Sequence, residues 1–160
     1  MPTKRLMTHS LLKALDPDQV EALSAIATQV RFGLGESIFR QREVADGFYL
    51  IEKGEVSLEY ELPGNKKVAI QTIGPGELLG LSWLLGPYRW QFSATAISGV
   101  TVNFFRAVDV REQCAQDPKL GYKLMEEIAR VLTERLQATR HKLGVFVERA
   151  SGSEDARQVC

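Results

Sequence analysis

The side chains able to do chemistry are few and scattered. Cys114 and Cys160 stand 46 positions apart, so neither a disulfide framework nor a CxxC metal pair follows from them. Cys114 is expected to be a small buried apolar residue and Cys160 an incidental tail thiol. His9 and His141 are separated by nearly the whole chain, which disfavours a metal centre built from clustered histidines. No Gly-x-Ser-x-Gly elbow, P-loop or Cys-His cluster is present, so the expected role is binding and not catalysis. The densest group of recognition residues is Trp83, Tyr88 and Trp90, crowded into one loop. A cleft lined by such rings can take a flat apolar ligand, although aromatics equally fill pockets or cover core edges.

That loop needs a scaffold, and the chain's periodicity divides into segments that could supply one. Residues 1–28 form a helical segment: Leu11, Leu12 and Leu15 precede Asp16-Pro17-Asp18-Gln19, where Asp16 can cap a helix and Gln19 can reach back to it. Val20, Leu23 and Ile26 then recur at helical spacing. Residues 29–106 change to short β-like runs: Gln29–Phe32, Ser37–Phe39, Gly47–Ile51, Glu55–Glu61, Lys67–Ile73, Phe92–Ile97 and Thr101–Phe105. Glycine-bearing turns separate them, including Gly33 and Gly35, Glu52-Lys53-Gly54, Pro63-Gly64-Asn65 and Gly74-Pro75-Gly76. In Glu55–Glu61, Val56, Leu58 and Tyr60 alternate with polar residues, giving one buried and one wet face. The expectation is an antiparallel sandwich or barrel.

Residues 107–147 return to helices. Ala107–Ala115 is a short one, and Asp117-Pro118 opens a pattern unbroken to about Gly144. Along it Met125, Ala129, Leu132, Leu136, Thr139, Leu143 and Phe146 fall at alternating steps of four and three, a coiled-coil seam. A second copy is the natural partner for such a seam, giving a parallel two-fold homodimer through 118–146, with the first turns packing on the chain's own barrel. The alternative is a helix folded back on that barrel along its length. Residues 148–160 are a polar tail, expected to be disordered.

Composition limits the partners. With 160 residues and 44% hydrophobic content the chain has material for one domain with a core. Twenty basic and twenty acidic residues cancel, so no global field attracts nucleic acid or an anionic membrane. The longest apolar runs fall well short of the ~18 residues a membrane span requires. The amino terminus lacks the apolar stretch of a secretion signal. A cytoplasmic location is expected.

Four strings carry a resemblance over roughly Leu11 to Phe146. They are Phe32-Gly33-Leu34-Gly35-Glu36-Ser37-Ile38-Phe39-Arg40-Gln41, Phe48-Tyr49-Leu50-Ile51-Glu52-Lys53-Gly54-Glu55-Val56, Gly74-Pro75-Gly76-Glu77-Leu78-Leu79-Gly80, and Arg135-Leu136-Gln137-Ala138-Thr139. The chain resembles the cyclic-nucleotide-binding domains, the effector domain of the catabolite activator protein and its Crp/Fnr-like relatives. The resemblance implies a mainly-β fold with flanking helices: a double-stranded β-helix or jelly roll, the cyclic-nucleotide-binding-like β-roll, plus a long C-terminal dimerisation helix.

It also implies a ligand site. In that family a short helix-containing turn between two strands forms a phosphate-binding cassette, and the resemblance implies a cassette-like loop at residues 74–96 here. A Gly-Glu pair begins it, the carboxylate accepting from a ribose hydroxyl, and a later arginine holds the cyclic phosphate. Matched from its front, Gly80 is the family glycine, but Leu81 stands where the glutamate belongs. Ser82 and Trp83 follow. The phosphate arginine would fall at Trp90 or Gln91, and Arg89 lies one or two positions early. Glu77 comes four residues too early for the pair and resembles a turn glutamate that precedes the cassette. On the long helix the family's base-contacting threonine and the residue after it, which can come from the partner chain, match Thr139 and Arg140.

The expected function is therefore a non-catalytic, cyclic-nucleotide-binding-like regulatory sensor domain with a degenerate cassette and poor affinity for an ordinary cyclic nucleotide. No cofactor is certain. The alternatives are a ligand-free structural dimerisation module, its pocket filled by Leu81, Trp83 and Trp90, and a sensor of a non-nucleotide ligand such as haem or an apolar acid. A small-molecule ligand and a downstream protein are the expected partners, with no direct nucleic-acid contact from this chain, which lacks the family's helix-turn-helix domain, and no membrane.

Overall fold

A computed structural model of the chain describes residues 10–158. His9, Cys160 and the first residues of the expected helical segment lie outside them, as does the side chain of Phe146. Helices α1 (Ser10–Lys13) and α2 (Pro17–Ile26) come first. The expected cap closes as a box: Gln19 N donates to Asp16 Oδ1 at 2.8 Å, and Asp16 N donates to Gln19 Oε1 at 3.1 Å. Leu11, Leu12, Leu15, Val20 and Leu23 are buried, so both helices bury their apolar faces in the core.

Eight strands follow: β1 (Ala27–Phe32), β2 (Ser37–Phe39), β3 (Gly47–Lys53), β4 (Val56–Leu62), β5 (Lys66–Ile73), β6 (Leu78–Leu79), β7 (Ser93–Ala96) and β8 (Val100–Arg106). They form two antiparallel four-stranded sheets, in the orders β1-β8-β3-β6 and β2-β7-β4-β5. Three of the crossings between sheets turn at Gly35, Gly54 and Gly76, and the β4–β5 hairpin turns at Gly64, all at φ between 83° and 86°. One apolar core joins the two sheets: Phe48, Leu50 and Ile51 of β3 meet Val56 and Leu58 of β4 and Val102 and Phe105 of β8. The result is the β-roll that the sequence predicts.

Three features differ from that prediction. Strand β6 was expected only as loop; at two residues it is too short to show alternation, yet it pairs with Tyr49 and Leu50 of β3. The second is the end of the last helix. Helix α3 (Ala107–Gln116) passes at Asp117 into α4 (Pro118–Gln158), a helix of 41 residues that runs through Gly144 and through the tail expected to be disordered. No proline interrupts 119–158, and a helix-interior glycine costs only about 1 kcal/mol. The third concerns Cys114, which is only half-buried. Its thiol is pushed up by burial and by the charge of Asp117. It packs against Gly121, where an added Cβ would come within 3.3 Å of the Cys114 Cβ, so that glycine brings α3 and α4 close together.

Helix α4 presents two stripes. Leu120, Leu124, Ile128 and Val131 are buried against the roll, whereas Leu132, Leu136 and Leu143 of the expected seam are 51%, 53% and 62% exposed. The two stripes are one residue out of phase, so the seam runs beside the buried stripe. The first turns pack on the roll, and Leu132 and Leu136 stay half exposed beyond them.

Candidate functional site

The loop between β6 and β7 begins at Gly80, which sits at φ 93°. A Cβ there would come within 2.8 Å of the Trp90 ring, so the glycine is needed for both its backbone and its missing side chain. Trp90 is 4% exposed and stacks on Phe39 with ring centroids 3.8 Å apart. Its backbone is laced to the segment after β2: Arg42 N donates to Trp90 O at 2.8 Å and Trp90 N to Glu43 O at 2.9 Å. The front of the loop is a single turn, with Leu84 N donating to Leu81 O at 3.4 Å, in place of the short helix the family resemblance implies.

Between this loop and α4 lies a cavity of about 500 Å³. Of the nine ligand-binding positions expected from the sequence, it brings together seven: Gly80, Leu81, Ser82, Arg89, Trp90, Gln91 and Thr139. Trp83 and Arg140 do not line it in the single chain. Trp83 is 1% exposed and points into the core, 5.6 Å from the Phe48 ring, because the turn at Leu81–Leu84 rotates it away from the cavity. Arg140 is exposed and does not line the cavity; one residue past Thr139 turns it about 100° around the helix.

The structure separates the two positions left open for the phosphate arginine. Trp90 is an apolar plug under Gly80, and Gln91 is exposed at the rim, its backbone N donating to Ser82 Oγ at 3.3 Å. Neither carries charge. Arg89 is exposed and donates from Nη1 to Arg42 O at 3.3 Å. Leu81 is half-buried at the cavity wall, so the glutamate position is apolar in space as well as in sequence. Glu77 accepts from Gly74 N at 2.9 Å and closes the preceding turn; it lines a separate, polar cavity and not this one. Thr139 Oγ1 donates back to Arg135 O at 2.8 Å.

Sequence reasoning missed two side chains. Arg135 lines the cavity, donates from Nη2 to Leu78 O at 2.5 Å, and is held by burial down to about 10, an effect that Glu77 and Glu134 partly oppose. Its signal was present: it continues the inward stripe Ile128, Val131 by steps of three and four, where a charge is unusual. Arg111 of α3 is the other. Its Nη2 donates to Trp83 O at 2.6 Å, and its guanidinium lies over the rings of Trp83 and Tyr88 at 5.8 and 5.3 Å. It ties the loop to the hinge before α4. Arg111→Ala is expected to lower the melting temperature by about 2–4 °C, corresponding to about 1 kcal/mol in a chain of this size. It should also speed amide hydrogen exchange across residues 81–90; unchanged exchange there would remove the clamp.

Among the described residues no group of three or more His, Cys, Asp or Glu side chains could hold a metal, and no helix is long and apolar enough to cross a membrane.

Known proteins share this fold. The family model described as the cyclic nucleotide-binding domain matches residues 29–117. Over 114 residues the chain is 37% identical to the transcriptional activatory protein AadR of Rhodopseudomonas palustris, covering 67% of this chain and 46% of that one. It is 26% identical over 142 residues to the CRP-like cAMP-activated global transcriptional regulator of Mycobacterium tuberculosis, covering 89% of this chain and 62% of that one. The crystal structure of Thermus thermophilus catabolite activator protein aligns with a TM-score of 0.69 at 25% identity, over 86% of this chain and 62% of that chain. The chain therefore spans about half to three-fifths of the length of these curated relatives.

Proposed function

Because the chain belongs to the cyclic nucleotide-binding domain family, we propose that it is a non-catalytic sensor module whose cassette has exchanged its anion-gripping groups for apolar ones. A small ligand enters the cavity beside Gly80–Gln91 and beneath Thr139. Its binding shifts the loop against α4, and the change in that helix passes to a second copy and then to a downstream protein. The module works as a homodimer in the cytoplasm, without touching nucleic acid through these residues.

One observation carries this reading: the wall facing a ribose and phosphate in the family is here Leu81 and Trp90, with Arg89 turned to the Arg42 carbonyl. A ribose hydroxyl set against Leu81 would lose its partner, costing ~1–3 kcal/mol, and the missing charged phosphate contact costs about as much again. A cavity of about 500 Å³ argues against the filled-pocket alternative. So does the position of Trp83, which is buried in the core instead of plugging the site.

The test is thermal melting with cyclic AMP and cyclic GMP. With a millimolar dissociation constant, 1 mM ligand stabilises by only about 0.4 kcal/mol, a rise of roughly 1–2 °C. A rise above about 5 °C at 0.1 mM with either nucleotide would show an intact cassette and end the proposal.

A further inference from the structure

We infer that the cavity takes a monocarboxylate with a hydrocarbon body, its acid group paired with Arg135 and its body among Leu81, Leu84, Trp90 and Phe92. This rests on the reading of the cavity as the sensor site and names the class of ligand. The first support is the sign of the lining. Arg89 and Arg135 line the cavity, and no aspartate or glutamate does; Arg135 also lines the neighbouring polar cavity, which holds Glu77 and Glu134. The remaining wall is mostly apolar, with Leu132 and Leu136 of α4 facing the loop. Such a surface suits a molecule that is greasy along its length and negative at one end.

The second support is the state of Arg135. Among the described residues no carboxylate stands within salt-bridge distance of it, and its one hydrogen bond is to the Leu78 carbonyl. A guanidinium has five N–H donors in a planar fork that matches a carboxylate with two parallel hydrogen bonds. Glu77 and Glu134 lie near enough to favour its charge but do not pair with it directly, and burial still works against the cation. A carboxylate entering from the cavity would supply the direct partner that Glu77 and Glu134 do not. A neutral hydrocarbon would leave that cation unpaired. A cyclic nucleotide would bring its anion attached to a ribose whose hydroxyls meet Leu81. A hydrocarbon amine would place like charge beside the two arginines.

Octanoate, 1-octanol and octylammonium separate these cases, since they share a chain and differ in head group. By titration calorimetry on the full chain, octanoate is expected to bind at least tenfold more tightly than the alcohol, and the amine not at all. Arg135→Met should reduce octanoate affinity 10- to 100-fold and leave octanol unchanged. Should that variant fail to fold, Leu81→Glu serves instead: the new carboxylate engages Arg135 from within, and octanoate affinity should again fall at least tenfold. A chromophore inside the site gives a second readout. In a Trp83→Phe background Trp90 is the remaining tryptophan, and its emission should change on octanoate addition with the same midpoint.

Equal binding of octanol and octanoate would overturn the carboxylate assignment and leave the sensor reading intact. So would octanoate binding that survives both substitutions. No binding of any eight-carbon probe, together with micromolar binding of cyclic AMP, would overturn this inference and the degenerate-cassette reading together. If neither the probes nor cyclic AMP bind, the carboxylate assignment falls on its own.

Discussion

Leu81→Glu combined with Gln91→Arg is expected to raise affinity for cyclic AMP at least 100-fold over the parent chain. The first change returns an acceptor for a ribose hydroxyl at the residue after Gly80. The second places a fork at the rim, on an exposed side chain whose backbone is already anchored to Ser82. Each restored charge-assisted contact is worth ~1.5–3 kcal/mol, so the pair together correspond to roughly 10²- to 10⁴-fold. Arginine at Trp90 would fail, since that ring is buried between Phe39 and Gly80 and a charge there would be unpaired in the core. Calorimetric titration of the double variant checks this, with Leu81→Glu alone giving an intermediate gain. A double variant no tighter than the parent would mean that the backbone of the single turn at Leu81–Leu84 is itself incompatible with the phosphate.

Leu132→Glu with Leu136→Glu is expected to convert a dimer into a monomer in sedimentation. Both leucines are about half exposed in the single chain, and with Leu143 they follow the alternating four-and-three spacing along one side of α4. Burial of a leucine stabilises by ~1.5–3 kcal/mol. Removing two from each copy and setting four glutamates face to face should weaken association by more than about 10³-fold. The roll itself should survive, because its own contact with α4 runs through Leu120, Leu124, Ile128 and Val131. Retention of the dimer at micromolar concentration, with the far-ultraviolet spectrum unchanged, would place the interface elsewhere.

Much of the fold was legible because its signals are local. Turn glycines, the Asp16 cap and the alternation in β4 each follow from a few neighbouring residues and need no tertiary knowledge. The long helix was legible because its spacing of four and three persists over many turns. What escaped depends on contacts made at a distance. Leu78–Leu79 becomes a strand only through Tyr49 and Leu50 of β3. Trp83 was assigned to the site for its position in the loop, but a single turn decides which way it points, and Phe48 and Arg111 hold it in the core. Arg135 was quoted as part of a resemblance and given no role. Its place appears only in three dimensions, between the apolar cavity beside the loop and the polar one that holds Glu77 and Glu134. That Leu81 follows Gly80, and that Trp90 and Gln91 carry no charge, is read directly from the sequence and needs no coordinates.

Leu132, Leu136 and Thr139 belong at once to the wall of the cavity and to the outward side of α4. If two helices zip along that side, each chain supplies part of the enclosure around its neighbour's guest, and occupancy and pairing become a single thermodynamic cycle. Whatever factor the second copy adds to retention of the small molecule, the small molecule must add to cohesion of the pair. Dilution would then empty the chamber, and cellular abundance of the protein would set its threshold of response.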